Sequence, residues 1–490
     1  MLTLFPKKGD LCNLRNWCPV SLLSMDYKVV AKAISLRLGS VLVDMVHPDQ
    51  TYTVLGCSIF NNLYLVRDLL ELGCRDGLSF ALLSLDQEKA FDRVDHGYLL
   101  STLQAFDFGP QFVGFLQVLY ASTECLVRIN WTLTKPVSFR RGVRHGCPLS
   151  SQLYALAIEP FLCLLRRRLT GLVLQEPELR LVLLAYADDV LLMVQGDLAR
   201  VEACQPIYSA ASSARLNWVK SSGLVVGDGW QMSSLPPALQ TIRWSAGPLL
   251  YLGVYLSATH PSPPENWHSL EGRVIERLQK WTGLLRCLSL RGRSLVLNQP
   301  VLSMLCYQLN TLVPAPGFLA NLRTSILEFF WSGLHWVSTG ALHLPLEEGG
   351  QGLKCLHTQV HVFRLQALQR LLYGAGSLAW SILAHAFPRH FRGLRYNRQL
   401  LYLHPRGLPR DLSGLPVFYQ DLLWTWKLLS MTRSVAATEG ADLLMEPLLH
   451  NPSFACRWRS PPWCTRGWSW QNSQESETSW TTTGETGWIP

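Results

Sequence analysis

The chain has 490 residues, 48% of them hydrophobic and 16% charged, with 44 Lys+Arg against 35 Asp+Glu and a net charge of +9. That length suggests two to four domains, and the apolar content excludes a mainly disordered chain. Gly and Pro are scattered without a period, which excludes collagen and coiled coil. Mean hydropathy is +0.12, yet no apolar run reaches the ~20 residues of a spanning helix. The longest, Leu181–Val194, is cut by Asp188 and Asp189, and the apolar stretch at the N-terminus is too short for a signal peptide. The expected protein is intracellular, in the nucleus or cytoplasm, neither secreted nor membrane-spanning. The thirteen cysteines are dispersed, with no Cys-x-x-Cys pair. Such a set predicts reduced thiols rather than a zinc site.

Taken in chain order, Tyr27–Val43 has the spacing of an amphipathic helix, and so has Asn61–Leu72. Phe80–Leu85 is a short apolar run ending in Asp86, which predicts a buried strand with an acid at its tip. Helices are predicted near His96–Phe106, over Pro148–Arg168 and over Ile207–Leu216. Leu181–Tyr186 and Val190–Val194 predict a tight hairpin joined by Ala187, Asp188 and Asp189. Leu249–Leu256 reads as a short strand. Residues 1–257 are therefore mixed α/β. Ser257–Pro264 is a predicted boundary. Beyond it Trp267, Leu270, Val274, Leu278, Trp281 and Leu285 form a helical stripe, and Asn298–Leu312 and Leu319–Trp331 continue as helices. An all-α domain is expected over 265–335 and a basic, mostly helical one over 336–450. The tail 451–490 has tryptophans among Ser, Thr, Gly and Glu, and disorder is expected there. From Gly349 to Arg410 there is no acid, while Arg364, Arg370, Arg392, Arg395 and Arg398 alternate with Phe363, Tyr373, Phe391 and Tyr396. Cations for phosphates and rings for bases suit nucleic acid; a solvated basic face is the alternative.

Asp188 and Asp189 repel each other on a turn between apolar strands, and a divalent cation would relieve that repulsion. An Asp pair alone fits a solvated turn better than a metal site, since Asp is a common turn residue. Asp86 alters the balance, because it ends another buried strand. If the two strands pair, three carboxylates meet at one sheet edge. Hard oxygen ligands suit Mg²⁺, and two such ions suit transfer of a nucleotidyl group.

These segments, with others in order, resemble the reverse transcriptase of long interspersed, non-LTR retrotransposons. The resemblance covers residues 4–256. It is carried by Pro6-Lys7-Lys8-Gly9-Asp10, Trp17-Cys18-Pro19-Val20-Ser21, Tyr27-Lys28-Val29-Val30-Ala31-Lys32, the catalytic motif Leu85-Asp86-Gln87-Glu88-Lys89-Ala90-Phe91-Asp92, Arg141-Gly142-Val143-Arg144-His145-Gly146-Cys147-Pro148, Tyr186-Ala187-Asp188-Asp189, Asn217-Trp218-Val219-Lys220 and Tyr251-Leu252-Gly253-Val254. The resemblance implies a right-hand polymerase with fingers and palm at 1–257 and a helical thumb at 265–335. It implies two Mg²⁺ ions on Asp86, Asp188 and Asp189, an RNA template, a DNA primer or target, and dNTP. Lys7 would hold the triphosphate. Phe91 would gate the ribose 2′-OH. His145 and Gly146 would face the nucleotide, Lys220 would be the general acid, and Gly253 would lie in the hairpin that grips the primer. The wording around His145 and the downstream Glu347-Glu348-Gly349-Gly350 argue against a telomerase or an intron-encoded enzyme.

The sequence also departs from the family. Cys18 and Cys57 stand where arginine is usual, Asn61 where aspartate is, and His145 where glutamine is. Cysteine cannot make the charge-assisted contact of an arginine. Tolerated variation and decay of a mobile-element copy both explain such changes. An upstream endonuclease and a downstream Cys/His knuckle are not found in the sequence, so a truncated, impaired copy is one expectation. A catalytically inactive nucleic-acid-binding relic of the same fold is the alternative to an active enzyme.

Overall fold

The computed structural model describes residues 1–428 except 7–8, 14–15, 121–123, 130–131, 176–177, 228–234, 246, 334, 336, 374–378, 391–411 and 413. The chain divides into two compact units. One is Met1–Gly272 with Ala375–Ile382, the other Arg273–Gly374 with the chain from Leu383 onward. The expected tail 451–490 lies outside the described residues.

The first unit is built on a five-stranded sheet in the order 183–186, 189–194, 80–85, 222–226, 243–245. The first four strands pair antiparallel, and Ser222–Val226 pairs parallel to Arg243–Ser245. The central strand Phe80–Leu85 is almost wholly buried. That accounts for its unbroken apolar run, since a strand covered on both faces has no reason to alternate. Helix Ser150–Arg168 buries Leu153, Tyr154, Leu156, Ile158, Phe161, Leu162 and Leu165 in the core shared with this sheet. Helix Ile59–Arg75 buries nearly every residue from Asn61 to Leu70. A smaller sheet joins Trp17–Ser21, Leu2–Pro6, Val127–Ile129 and Thr132–Leu133, and helix Met25–Met45 follows it with Ser24 as its N-cap.

Three predicted elements differ in informative ways. The strand expected over Leu181–Tyr186 starts at Leu183, because Leu179–Leu181 pairs instead with Leu172–Leu174. The helix expected over Ile207–Leu216 runs from Leu198 to Ser212. It ends where Ser213 turns left-handed at φ 64°, which frees Leu216 to bridge to Gln87. The strand expected over Leu249–Leu256 is a hairpin, Leu249–Tyr251 with Val254–Leu256. Its turn sets Leu252 at φ 46° and Gly253 at φ 76°, a pair of positive φ values that matches the sense of the strand twist.

In the second unit the helix expected over Asn298–Leu312 is broken. Leu290–Val296 passes into a π turn at Leu297–Val301, a 3₁₀ turn at Leu302–Met304, and then helix Cys306–Thr311. Pro300 lies within the π turn; it lacks an N–H, and its ring does not fit the regular helical ladder. Helix Phe318–Trp331 buries Phe329, Phe330 and Trp331. Asn298 ties the break to the chain beyond it, donating to the Gly352 carbonyl at 2.8 Å and accepting from the Lys354 N–H at 3.0 Å.

Candidate active site

The register of the central strands brings the catalytic motif to the aspartate hairpin. Leu85 lies opposite Val190, so the next residue along each strand places Asp86 beside Asp189. Within the hairpin Tyr186 opposes Asp189, leaving only Ala187 and Asp188 in the turn. The turn is tighter than the three-residue link expected. It places Ala187 at φ 55°, a left-handed conformation that costs an alanine roughly 1–2 kcal/mol. A strained, buried residue at the tip of a hairpin is held only by its surroundings. Here the Gln87 side chain donates to the Asp188 carbonyl at 3.4 Å. Behind the hairpin Asn62, which is buried, donates to the Ala185 carbonyl at 3.2 Å and accepts from the Thr51 hydroxyl at 3.1 Å. The Thr51 N–H also donates to Ala185, at 3.1 Å.

The carboxylates act on one another. Burial pushes the Asp86 carboxyl up, the nearby Lys220 ammonium opposes the shift, and Asp188 adds to it. Asp189 is pushed up to about 6 by its enclosure in the cleft, then by the charges of Asp188 and Asp86. Asp189 is nonetheless reached by solvent. The like charges of Asp188 and Asp86 act in the same upward direction, weakened where water reaches the cleft. Among the described residues no group of three or more His, Cys, Asp or Glu side chains is drawn close enough to hold a metal ion. The expected three-carboxylate cluster is thus set up by the strand register, but it is not gathered to a point. The donor set is hard oxygen, partly open to solvent, and fits Mg²⁺ in its chemistry.

Comparison with known proteins decides the family. The reverse transcriptase (RNA-dependent DNA polymerase) family matches residues 5–256, half of the chain. The chain belongs to the reverse transcriptase family. It is 58% identical over 459 residues to the transposon TX1 uncharacterized 149 kDa protein of Xenopus laevis, covering 93% of this chain and 35% of that protein. It is 28% identical over 200 residues to a retrovirus-related Pol polyprotein from type-1 retrotransposable element R2 of Popillia japonica, covering 40% of this chain and 27% of the relative. The chain therefore spans about a third of the length of these relatives. Among solved structures, apo telomerase from Candida tropicalis aligns at a TM-score of 0.40 and 11% identity, over 73% of this chain and 61% of that one. The resemblance to a non-LTR retrotransposon reverse transcriptase is borne out by the family and by these relatives, and so is the right-hand polymerase fold class. Reverse transcriptases as a family depend in general on divalent metal.

The other expected site residues of this reverse transcriptase chain fall in three groups. Several gather around Asp86. Its N–H donates to the Ser221 hydroxyl at 3.1 Å, and its carbonyl accepts from the Asn217 N–H at 2.8 Å. The segment bearing Lys220 is thereby fixed beside it. Phe91 is half-buried, its ring stacked on Tyr154 at 4.2 Å and 15°. Its carbonyl accepts from the Val143 N–H at 2.9 Å, which ties the catalytic motif to the segment carrying His145 and Gly146. The His145 ring lies 5.5 Å from that of Phe91. Gly146 is at φ 93°, and a Cβ there would sit 3.1 Å from the Ser21 carbonyl, so this close approach requires glycine. Gly253 occupies the exposed turn of its hairpin.

A second group lies outside the described residues: Lys7, Arg392, Arg395 and Arg398. In the third group Arg364 is a correction. Expected on a nucleic-acid surface, it is fully buried. Its Nε donates to Asp421 at 2.6 Å, Nη1 to the Leu309 carbonyl at 2.8 Å and Nη2 to the Leu312 carbonyl at 2.9 Å. The guanidinium lies 4.5 Å from the Phe418 ring centroid. At this position the cation belongs to an internal stack on Phe418, not to a nucleic-acid surface. Arg370 is half-buried. Of the four family departures, Cys18 sits half-buried opposite Phe5 on the edge strand, and Asn61 is buried. Burial pushes the Cys57 thiol up, so this cysteine supplies no charge in place of the usual arginine.

Three supporting residues were not legible beforehand. Asn62 and Tyr154 read as ordinary helix positions, and Asp92 read as one more acid of a motif. Only their packing reveals what they touch. No described helix is long and apolar enough to cross a membrane.

Proposed function

We propose that this chain carries out RNA-directed DNA synthesis, adding dNTP to a DNA primer on an RNA template within the cell. The observation that supports this best is the pairing of Leu85 with Val190, which aligns Asp86 with the Asp188–Asp189 turn. In this reading Asp86 and Asp188, with Asp189 at the rim, hold two Mg²⁺ ions. When bound, the ions neutralise the triphosphate and lower the cost of charge on the attacking and leaving oxygens. Lys220 is held next to Asp86 by the Asn217–Ser221 turn and is solvent-exposed. In this reading its ammonium donates a proton to the departing pyrophosphate as general acid. Phe91, backed by Tyr154, gates the sugar. His145 and Gly146 line the nucleotide side of the cleft, Lys7 holds the triphosphate, and Gly253 gives the tight turn beside the primer. Residues 1–257 act as fingers and palm, 265–335 as thumb, and 336–450 as a basic extension.

The test is primer extension on poly(rA)/oligo(dT) with Mg²⁺, with Asp188→Ala as control. Extension by the native chain and none by the variant is expected. No extension by the native chain, with RNA still retained on a filter, would replace this reading with a catalytically inactive nucleic-acid-binding relic.

A further inference from the structure

We propose that Asp92 is a positioning residue that holds the His145 imidazole against Phe91 and so fixes the ring that selects the sugar of the incoming nucleotide. The inference rests on the reading of Phe91 as that gate. His145 Nε2 lies 3.2 Å from Asp92 Oδ1. Phe91 and Asp92 are neighbours on one helical turn, Ala90–Arg93, so a single short element presents both the ring and the carboxylate. The Phe91 ring is packed from three directions. Tyr154, fully buried, stacks on it at 4.2 Å. Tyr52 meets it edge-on at 6.5 Å and 85°. The His145 ring leans on it at 5.5 Å and 40°.

Two of these walls are fixed by the core or by ring packing, and the third is fixed by Asp92. The backbone on either side is already tied down. The Gly142 N–H donates to the Val94 carbonyl at 2.7 Å, Val143 N–H to Phe91, and Ser21 N–H to the His145 carbonyl at 3.0 Å. A Cβ at Gly142 would meet the Asp92 carbonyl at 3.1 Å, so the two segments are pressed together. What remains free to swing is the imidazole, and the carboxylate of Asp92 stops it. This arrangement belongs to this chain in particular, because histidine stands where its family usually has glutamine.

The pair is about one-third exposed at both partners, 33% and 34%, so its effect is modest. The experiment uses the chain on an RNA template with a primer ended in a dideoxynucleotide, which allows binding without turnover. Equilibrium affinities for dUTP and UTP, which differ only at the 2′ position, are measured opposite adenine with Mg²⁺ present. Asp92→Ala is expected to lower the dUTP-over-UTP selectivity by about fivefold, the factor that ~1 kcal/mol in a solvent-exposed carboxylate–imidazole contact corresponds to. Asp92→Asn keeps an acceptor oxygen in place and should restore the selectivity to within about twofold. His145→Ala should match Asp92→Ala, and the double variant should lose no more than either alone, as coupled residues do. Phe91→Ala should abolish selectivity. If it does so while Asp92→Ala and His145→Ala leave the ratio unchanged, the brace is wrong and the gate stands. If Phe91→Ala itself leaves the ratio unchanged, or the native chain binds neither nucleotide, the gate falls and Asp92 with it.

Discussion

Replacing Arg364 separates a structural arginine from a nucleic-acid contact. Its guanidinium has three partners at 2.6–2.9 Å: Asp421 and the carbonyls of Leu309 and Leu312, at the end of helix Cys306–Thr311. Truncation to alanine leaves an unpaired carboxylate, two carbonyls without a donor at a helix C-terminus, and empty space over Phe418. Breaking a buried pair costs about 3–5 kcal/mol. The Asp421 side chain is 24% exposed, so water recovers part of that, and the low end, about 3 kcal/mol, is expected. At ~2–4 °C per kcal/mol the melting midpoint should fall by roughly 6–12 °C. Arg364→Lys keeps the charge but not the fork that serves three acceptors, and should fall in between. The assay is thermal unfolding followed by circular dichroism, with RNA affinity measured by filter retention below the transition. RNA affinity should change by less than about twofold, as expected of a residue that never meets solvent. An unchanged midpoint together with a tenfold or greater loss of RNA binding would refute the argument.

The raised pKa values at the carboxylate cleft give a pH prediction with a definite sign. Asp189 is pushed up to about 6 by enclosure and by the charges of Asp188 and Asp86, and Asp86 is also raised. Ionised carboxylates are needed to hold a cation, so primer extension should rise with pH through about 6, and more Mg²⁺ should move that limb to lower pH. A folded pKa raised above its unfolded value means stability that is present at low pH and lost as pH rises through the folded pKa. Without divalent cation, Asp189→Asn should therefore raise the unfolding midpoint at pH 7 and have no such effect at pH 4; a lower midpoint at pH 7 would reverse the sign. Asn62→Leu removes a donor to the Ala185 carbonyl and the acceptor of the Thr51 hydroxyl. Because Ala185 keeps the Thr51 N–H, the expected cost is about 1–2 kcal/mol, together with slower extension from a looser hairpin. Urea denaturation and extension kinetics check the two parts.

Much of the first unit is legible in the sequence, and for a physical reason. Phe80–Leu85 is apolar at every position but Ser84, and a six-residue run of that kind, ending in an acid, fits few alternatives to a buried strand. The aspartate hairpin is announced by two apolar runs with almost nothing between them. The gathering of Asp86 with those aspartates could be argued only on condition that the strands pair, because register is a property of two strands together. The strands do pair, with Leu85 opposite Val190, while the three carboxylates are not drawn into one metal-holding group among the described residues. What stayed hidden depended on partners far away in the chain. Leu179–Leu181 has strand character, but nothing local shows that it joins Leu172–Leu174 rather than the main sheet. Pro300 could have warned that Asn298–Leu312 is not one helix; its apolar spacing masked the break. Arg364 is the clearest case. A cation beside an aromatic residue looks the same in sequence whether it faces a nucleic acid or turns into the core, and the partners that turn it inward, Asp421 and Phe418, lie far along the chain, Asp421 57 positions later.

The account stands on Asp86 and Asp188 serving one cation site from different strands. Its most direct test is calorimetric titration of Mg²⁺ into the chain bound to RNA template and primer, for the native sequence, Asp86→Asn, Asp188→Asn and the double variant. Each single change should weaken the tighter Mg²⁺ event by at least about tenfold, with the double variant little worse than either, as expected for two ligands of one site. Full additivity of the two losses, or native-like Mg²⁺ affinity in Asp86→Asn, would contradict it.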